Sequence, residues 1–265
     1  MDELRTGTAN VLTYTLRDTL RGRGVAGYAL FFAAVSAGLL RFGGGLERAL
    51  PSLASVTLLV VPLVSVLFAA IALYEGRDFI ELVLSHPVGR RPLFLALYLG
   101  LALPLATAFC VGTVLPLALH GLADHAAAAI RVVLGGVLLT LVFTAIGCWV
   151  ALRVAETARG LGLALLLWLA LTVLYDGAVL LGAHTFAAWP LERPLLLAMI
   201  LNPVDLARVL ALLALDASAL TGYTGAVFQR FFGSAVGVAV AVGALLAWIA
   251  LPVALALRRF ERMDL

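Results

Sequence analysis

The 265-residue chain contains no lysine; all eighteen of its basic residues are arginine. A phosphate-binding loop of the form G-x-x-x-x-G-K-[ST] needs a lysine to reach the phosphates. This chain cannot build that site, so any ATP it uses is hydrolysed on another chain. Charge of either sign is scarce: charged residues are 12% of the chain and hydrophobic ones 63%, with a mean hydropathy of +1.10. Soluble domains carry about 25% charge, so the composition points to a bilayer as solvent. The net charge of +3 is too small to argue for a nucleic-acid partner. There are two cysteines, Cys110 and Cys148, each alone in an apolar run. They read as small core residues and give no sign of a disulfide or a zinc site. No G-x-S-x-G motif occurs, and no carboxylate or Ser/His pair sits at suggestive positions on facing segments, so no catalytic residue is expected. Among the histidines, His120 and His125 flank Asp124 and His184 follows the fifth apolar run. They read as surface polar residues, and neither a bound metal nor a cofactor is expected.

What is abundant is long apolar sequence. A helix needs about 20 apolar residues to cross about 30 Å of hydrocarbon. Six stretches qualify, at 24–42, 53–74, 93–119, 131–152, 160–182 and 232–257. Pro62, Pro104, Pro116, Gly135, Gly136, Gly162 and Pro252 lie inside them, which spanning helices tolerate when neighbours re-satisfy the freed backbone. No alternation of period two appears, so a barrel is not indicated. The fold class is an all-α integral membrane protein of six transmembrane helices. Arginine counts give the orientation. With the N-terminus inside, twelve arginines fall on the cytoplasmic side, including Arg17, Arg77, Arg90, Arg91, Arg153 and Arg258, against six outside. Both termini are therefore expected to be cytoplasmic, in a multi-pass inner-membrane protein.

Two segments do not read as simple spans. In residues 2–23, Leu4, Thr8, Leu12, Leu16 and Leu20 recur every fourth position, with Arg5, Arg17, Arg21 and Arg23 around them. That is the pattern of a helix lying in the membrane interface, and no small-residue cleavage site marks it as a signal peptide. Residues 195–215 are apolar but carry Asn202, Pro203, Asp205 and Arg208 at their middle. Asp and Arg at a helix centre each cost about 2.5–3.5 kcal/mol on insertion scales. Two short helices broken at Asn202-Pro203 and dipping in from the outer face suit these residues better than a seventh span. Asp205 and Arg208, three apart, can partly neutralise each other.

The stretch "YEGRDFIELVLSHPVGRRPLF" is a charged island between the second and third spans, holding Glu75, Arg77, Asp78, Glu81, Arg90 and Arg91. About two helical turns fit before Pro87 and Gly89 end them. The loop is longer and more structured than a plain connection requires, which suits docking of a cytoplasmic partner; a solvated loop with snorkelling arginines is the bland alternative. In the fifth span, Tyr175 and Asp176 place a carboxylate among apolar residues, and such a group is a functional candidate by default.

Four stretches resemble an ABC-2 type transporter permease, and within that family the NosY-like permeases of nitrous-oxide-reductase maturation. They are "EGRDFIELVLSHPVGRRPLFLALYLG", "TARGLGLALLLWLALTVLYDGAVLLG", "LNPVDLARVL" and "LPVALALRRFERMDL". The resemblance implies a single transmembrane domain over 1–265, with an interfacial helix at 1–23, a coupling loop at 75–91 and an outer loop with a re-entrant segment at 183–231. It implies that the island is a coupling helix seated in a cleft of a separate cytoplasmic ATPase. Glu75, Arg77, Asp78 and Glu81 would read nucleotide state and Phe79, Ile80 and Leu82 would pack into the cleft; the coupling set also takes in Pro87, which ends the helix, and Arg90 and Arg91, which anchor the third span at the inner interface. It further implies a permease homodimer among membrane lipids, with a periplasmic partner landing on 183–194 and 216–231. A membrane scaffold without transport and an intramembrane hydrolase are the alternatives.

Overall fold

The computed structural model describes residues 2–85, 89–120, 126–186, 192–212 and 235–262, without the side chains of 2–11, 192–193, 212 and 235–236. Pro87, Asp124 and His125 lie outside the described residues, as do 187–191 and 213–231 of the outer loop. The regular elements described are all helices: α1 Asp2–Arg21, α2 Arg23–Phe42, α3 Leu46–Glu75, α4 Arg77–Leu84, α5 Arg90–Leu119, α6 Ala126–Arg153, α7 Thr157–Leu169, α8 Tyr175–Thr185, α9 Glu192–Ile200, α10 Pro203–Leu212 and α11 Ala235–Glu261. A π-helical turn, Ala170–Leu174, joins α7 to α8 in one continuous span, Thr157–Thr185. Six helical stretches are long and apolar enough to cross a membrane: α2, α3, α5, α6, α7 with α8, and α11.

The spans α3 and α5 have 30 residues each, about 45 Å at 1.5 Å per residue. They overrun a hydrocarbon core of about 30 Å. Their excess length carries Tyr74 and Glu75, and Arg90 and Arg91, to one end of the bundle. The central helix is α6, on which α3, α5, α10 and α11 all pack, while α1 and α2 lie against α5. Lipid tails are as apolar as leucine, so spans associate through close packing, and small residues permit it. A Cβ at Gly147 would meet the Val66 carbonyl oxygen and stand 2.9 Å from the Ala69 Cβ. One at Gly136 would strike the Phe109 ring and stand 3.0 Å from the Thr57 Cγ2. These two glycines let α3 and α5 approach α6. Fully buried Phe32, Phe109, Leu139 and Phe143 fill the middle of the bundle, with the Phe32 and Phe109 rings edge to face at 4.9 Å. A second apolar cluster, including Leu73, Ile80, Leu93, Phe94 and Phe260, sits at the charged end.

Burial is uneven. In the most apolar stretch of α5 and of α6, 67% of residues are buried, against 11% in the span Thr157–Thr185 and 17% in α11. The fifth span therefore stands at the rim, with Leu165, Leu166, Leu180 and Leu181 exposed. In the helix α1, Thr19 is buried and Leu20 is exposed. The approach of α1 to α5 explains this, since an added Cβ at Gly100 would stand 2.6 Å from the Thr15 methyl.

The close approach at α6 makes a direct prediction. Gly147→Ala forces a methyl against a backbone oxygen and destabilises by about 1–3 kcal/mol. Gly162→Ala adds a methyl where nothing lies within 4 Å and leaves stability unchanged or slightly raised. Thermal unfolding in detergent measures both; equal midpoints for the two variants would contradict the packing described.

Candidate functional site

Two places concentrate polar chemistry. The first is the charged end. The helix α6 finishes at Arg153, and its last carbonyls lack intrahelical partners. Arg77, the first residue of α4, supplies them: its guanidinium donates to the carbonyls of Ala155 at 2.6 Å, Val154 at 3.2 Å and Ala151 at 3.4 Å. The Tyr74 hydroxyl donates to Val154 at 3.0 Å, and the Arg77 guanidinium lies 4.7 Å from the Tyr74 ring centroid. A cation suits this helix end because the carbonyls carry the negative pole of the helix dipole. The same device recurs at α11, whose terminal Glu261 carbonyl accepts from Arg90 at 2.7 Å and whose Glu261 carboxylate pairs with Arg91. Arg259 donates to the Leu152 carbonyl at 3.4 Å. The ends of α3, α5, α6 and α11 are thus tied together, with α4 riding on them.

The side chains of α4 divide between two directions. Ile80 is buried in the charged-end cluster and Arg77 is engaged with α6, so both hold α4 to its own chain. Glu75, Asp78, Glu81 and Leu82 are exposed, and Phe79 is partly so, stacked on Tyr14 of α1 at 5.6 Å. A cavity of about 430 Å³ opens between α1 and this region, bordered by Asp18, Phe68, Glu75 and Phe79. Ser85 ends the helix by donating to the Leu82 carbonyl at 2.7 Å.

The second place lies where α9 and α10 meet the fifth span. Between α9 and α10 the chain bends by 102°. Asn202 is the N-cap of α10: its Oδ1 accepts the Val204 amide at 3.0 Å, with Pro203 in the first helical position. The Asn202 amide donates to the Leu171 carbonyl at 2.8 Å, inside the π turn of the fifth span. At the end of α9, the Ala198 carbonyl accepts from the Tyr175 hydroxyl at 2.6 Å, and the Ile200 carbonyl from the Trp248 ring nitrogen at 3.2 Å. Arg208 then bridges two acids, Asp205 at 2.8 Å and Asp176 at 2.6 Å. Backbone groups released by the break and by the π turn therefore find side-chain partners from other helices, as a break among apolar helices requires.

Tyr175, Asp176, Asn202, Pro203, Asp205 and Arg208, read as two separate candidates in sequence, form one cluster. The π turn and the contribution of Trp248 were not foreseen, and no residue type in "ALTVL" signals a π turn. Elsewhere, a His120 ring nitrogen lies 2.9 Å from the Pro116 carbonyl, a local helix-end contact. Cys148 is buried and Cys110 half-buried, both as free thiols.

A family model described as ABC-2 family transporter protein matches residues 9–265. Two curated relatives are each named "Probable ABC transporter permease protein NosY". The one from Pseudomonas aeruginosa is 32% identical over 225 residues, covering 78% of this chain and 82% of its own. The one from Stutzerimonas stutzeri is 28% identical over 294 aligned positions, covering 96% and 97%.

The bridging arginine sets up a thermodynamic cycle. Asp176→Asn and Arg208→Gln each lower the unfolding midpoint, Arg208→Gln more, because it leaves two carboxylates together. The double variant loses less than the sum, giving a coupling of about 0.5–3 kcal/mol. Additive losses would show that the pair is not energetically joined.

Proposed function

Because the chain belongs to the ABC-2 transporter family, whose permease subunits span the membrane, we propose that it passes the work of ATP hydrolysis on a separate cytoplasmic ATPase across the bilayer. The observation that carries this reading is the two-sided character of α4. One side is anchored in the bundle by Ile80 and by the Arg77 guanidinium on the end of α6. The other side offers Glu75, Asp78, Glu81, Phe79 and Leu82, an acidic and apolar surface that the other described residues leave mostly uncovered. A short helix rigidly joined to the central span and open to the other side is what a coupling helix needs. Force applied to α4 is delivered through Arg77 and Tyr74 to α6, and through α6 to the helices packed on it.

On this reading Glu75, Asp78 and Glu81 meet the ATPase, with Phe79 and Leu82 in its cleft. Arg77 and Ile80 transmit force, and Arg90 and Arg91 fix the start of α5 to the end of α11. Pro87, outside the described residues, closes the loop. The chain is one transmembrane domain over 1–265. The charged end faces the cytoplasm, both termini are cytoplasmic and the membrane is the bacterial inner membrane; the arginine distribution supports this. α1 lies in the inner interface, supported by its exposed Leu20 and Tyr14. The pair α9 and α10 re-enters from the outer face, supported by the 102° bend. Two copies pair in the working unit, and a periplasmic protein docks over 183–194 and 216–231. The resemblance to the NosY-like permeases of nitrous-oxide-reductase maturation extends the reading to the maturing of that copper enzyme, by export or by transfer of a signal.

Purification of the chain from its native membranes, together with any ABC ATPase that accompanies it, tests this reading. The wild type is expected to retain the ATPase on purification and stimulate its hydrolysis. Glu75→Arg/Glu81→Arg lowers ATPase retention by roughly tenfold or more, while the permease still inserts. Arg77→Gln retains the ATPase but loses stimulation. Unaltered stimulation in both variants would remove α4 from the coupling path.

A further inference from the structure

A separate cavity at the charged end has a different character from the outward face of α4. It measures about 460 Å³ and is lined by Arg77, Arg153, Arg259 and Arg262, with Glu81 at its wall. Among the described residues that line it, four guanidiniums against one carboxylate leave a formal charge of +3. The rest of the wall is apolar, from Leu73 of α3, Leu152 of α6 and Phe260 of α11. Each of these lies in the last turns of a helix long enough to overrun the hydrocarbon core, which suits the boundary between hydrocarbon and headgroups.

The guanidiniums are partly fixed in place. Arg77 and Arg259 are held by carbonyls at the end of α6, and Arg153 lies 6.0 Å from the Trp149 ring centroid. Among the described residues no carboxylate forms an ion pair with Arg153, Arg259 or Arg262. Water or a small soluble anion would leave the apolar wall wet, and a hydrocarbon chain alone would leave the charges unmatched. A molecule with a phosphate at one end and acyl chains at the other satisfies both. Guanidinium groups match phosphate oxygens in paired hydrogen bonds, and basic pockets between spans are suited to anionic headgroups.

We infer that this cavity, between α4 and the ends of α6 and α11, binds the headgroup of an anionic glycerophospholipid from the adjoining leaflet. Its phosphate sits among Arg153, Arg259 and Arg262, and its glycerol end lies against Leu152 and Phe260. The lipid then fills the space beside α4 and stiffens the junction of α6 with α11. The inference does not rest on the coupling reading, because it requires no second protein.

The test uses the purified full-length chain in detergent, offered phosphatidylglycerol or phosphatidylcholine, with bound lipid counted by native mass spectrometry. The wild type is expected to retain phosphatidylglycerol in preference. Arg153→Gln/Arg262→Gln removes two arginines that hold no other helix and lowers that preference by roughly thirtyfold. Arg131→Gln, at the opposite end of α6, leaves it unchanged. Size-exclusion elution and the thermal midpoint confirm that the variants are folded. Equal retention of the two lipids, or an equal loss in the Arg131 variant, overturns the proposal. Competition by millimolar glycerol phosphate or inorganic phosphate as effective as the lipid itself also overturns it, because the occupant is then a soluble anion. If the double variant keeps its lipid and instead loses a co-purifying ATPase, the cavity is a protein-docking surface and the lipid assignment fails. Loss of lipid preference with the ATPase still bound upholds the lipid site and leaves the coupling reading untouched.

Discussion

A peptide carbonyl freed at a helix end needs a partner, and the need is greatest where hydrocarbon is near. This chain ends or distorts helices at several such places: the ends of α6 and α11, the break between α9 and α10, and the π turn in the fifth span. Each is met by a side chain from a distant part of the sequence. Arg77 and Tyr74 serve α6, Arg90 serves α11, Tyr175 and Trp248 serve α9, and Asn202 serves the π turn. These bonds do more than satisfy polar groups. They fix which helices move together, because pulling one away leaves a carbonyl exposed.

From that constraint a mechanical layout follows. At the charged end, α4 is joined to α6 by the guanidinium of Arg77, and α5 is joined to α11 by Arg90 and Arg91. At the other polar cluster, the bent pair α9 and α10 is joined to the rim span by Tyr175, Asn202 and the Asp176–Arg208–Asp205 bridge. The central helix α6 touches both groups, since α10 packs on it and α4 is bonded to its end. A permease subunit has to carry displacement from one membrane face to the other. On the proposed reading the link is a single well-packed helix, α6, with a polar joint to α4 at one end and apolar packing against α10, and the Gly136 and Gly147 contacts keep it close to α3 and α5.

Much of this was legible in the residues. The six spans were readable because hydropathy is a sum over neighbours in sequence, and tertiary context does not alter it. The helix in the charged island and the Asn202-Pro203 start of α10 were readable because capping and proline geometry are local. What was not legible was the pairing. Tyr175 and Asp176 signal an unusual carboxylate in a span, and Asn202, Asp205 and Arg208 signal an interrupted one, yet nothing in either stretch says that they meet. Ile80 looks in sequence like any apolar residue on a docking helix, but tertiary packing turns it inward. Trp248 resembles an ordinary apolar span residue until its ring nitrogen finds the Ile200 carbonyl. The π turn has no sequence mark because its extra residue is accommodated only when a partner takes the released carbonyl.

The central claim is that the exposed face of α4 lies on the cytoplasmic side, where an ATPase can press on it. Sidedness of a single engineered cysteine measures this most directly. With Cys110 and Cys148 replaced, Glu81→Cys is treated with a membrane-impermeant maleimide in right-side-out and in inverted vesicles. The account predicts labelling only in the inverted vesicles. Labelling from the outside in intact right-side-out vesicles would contradict it.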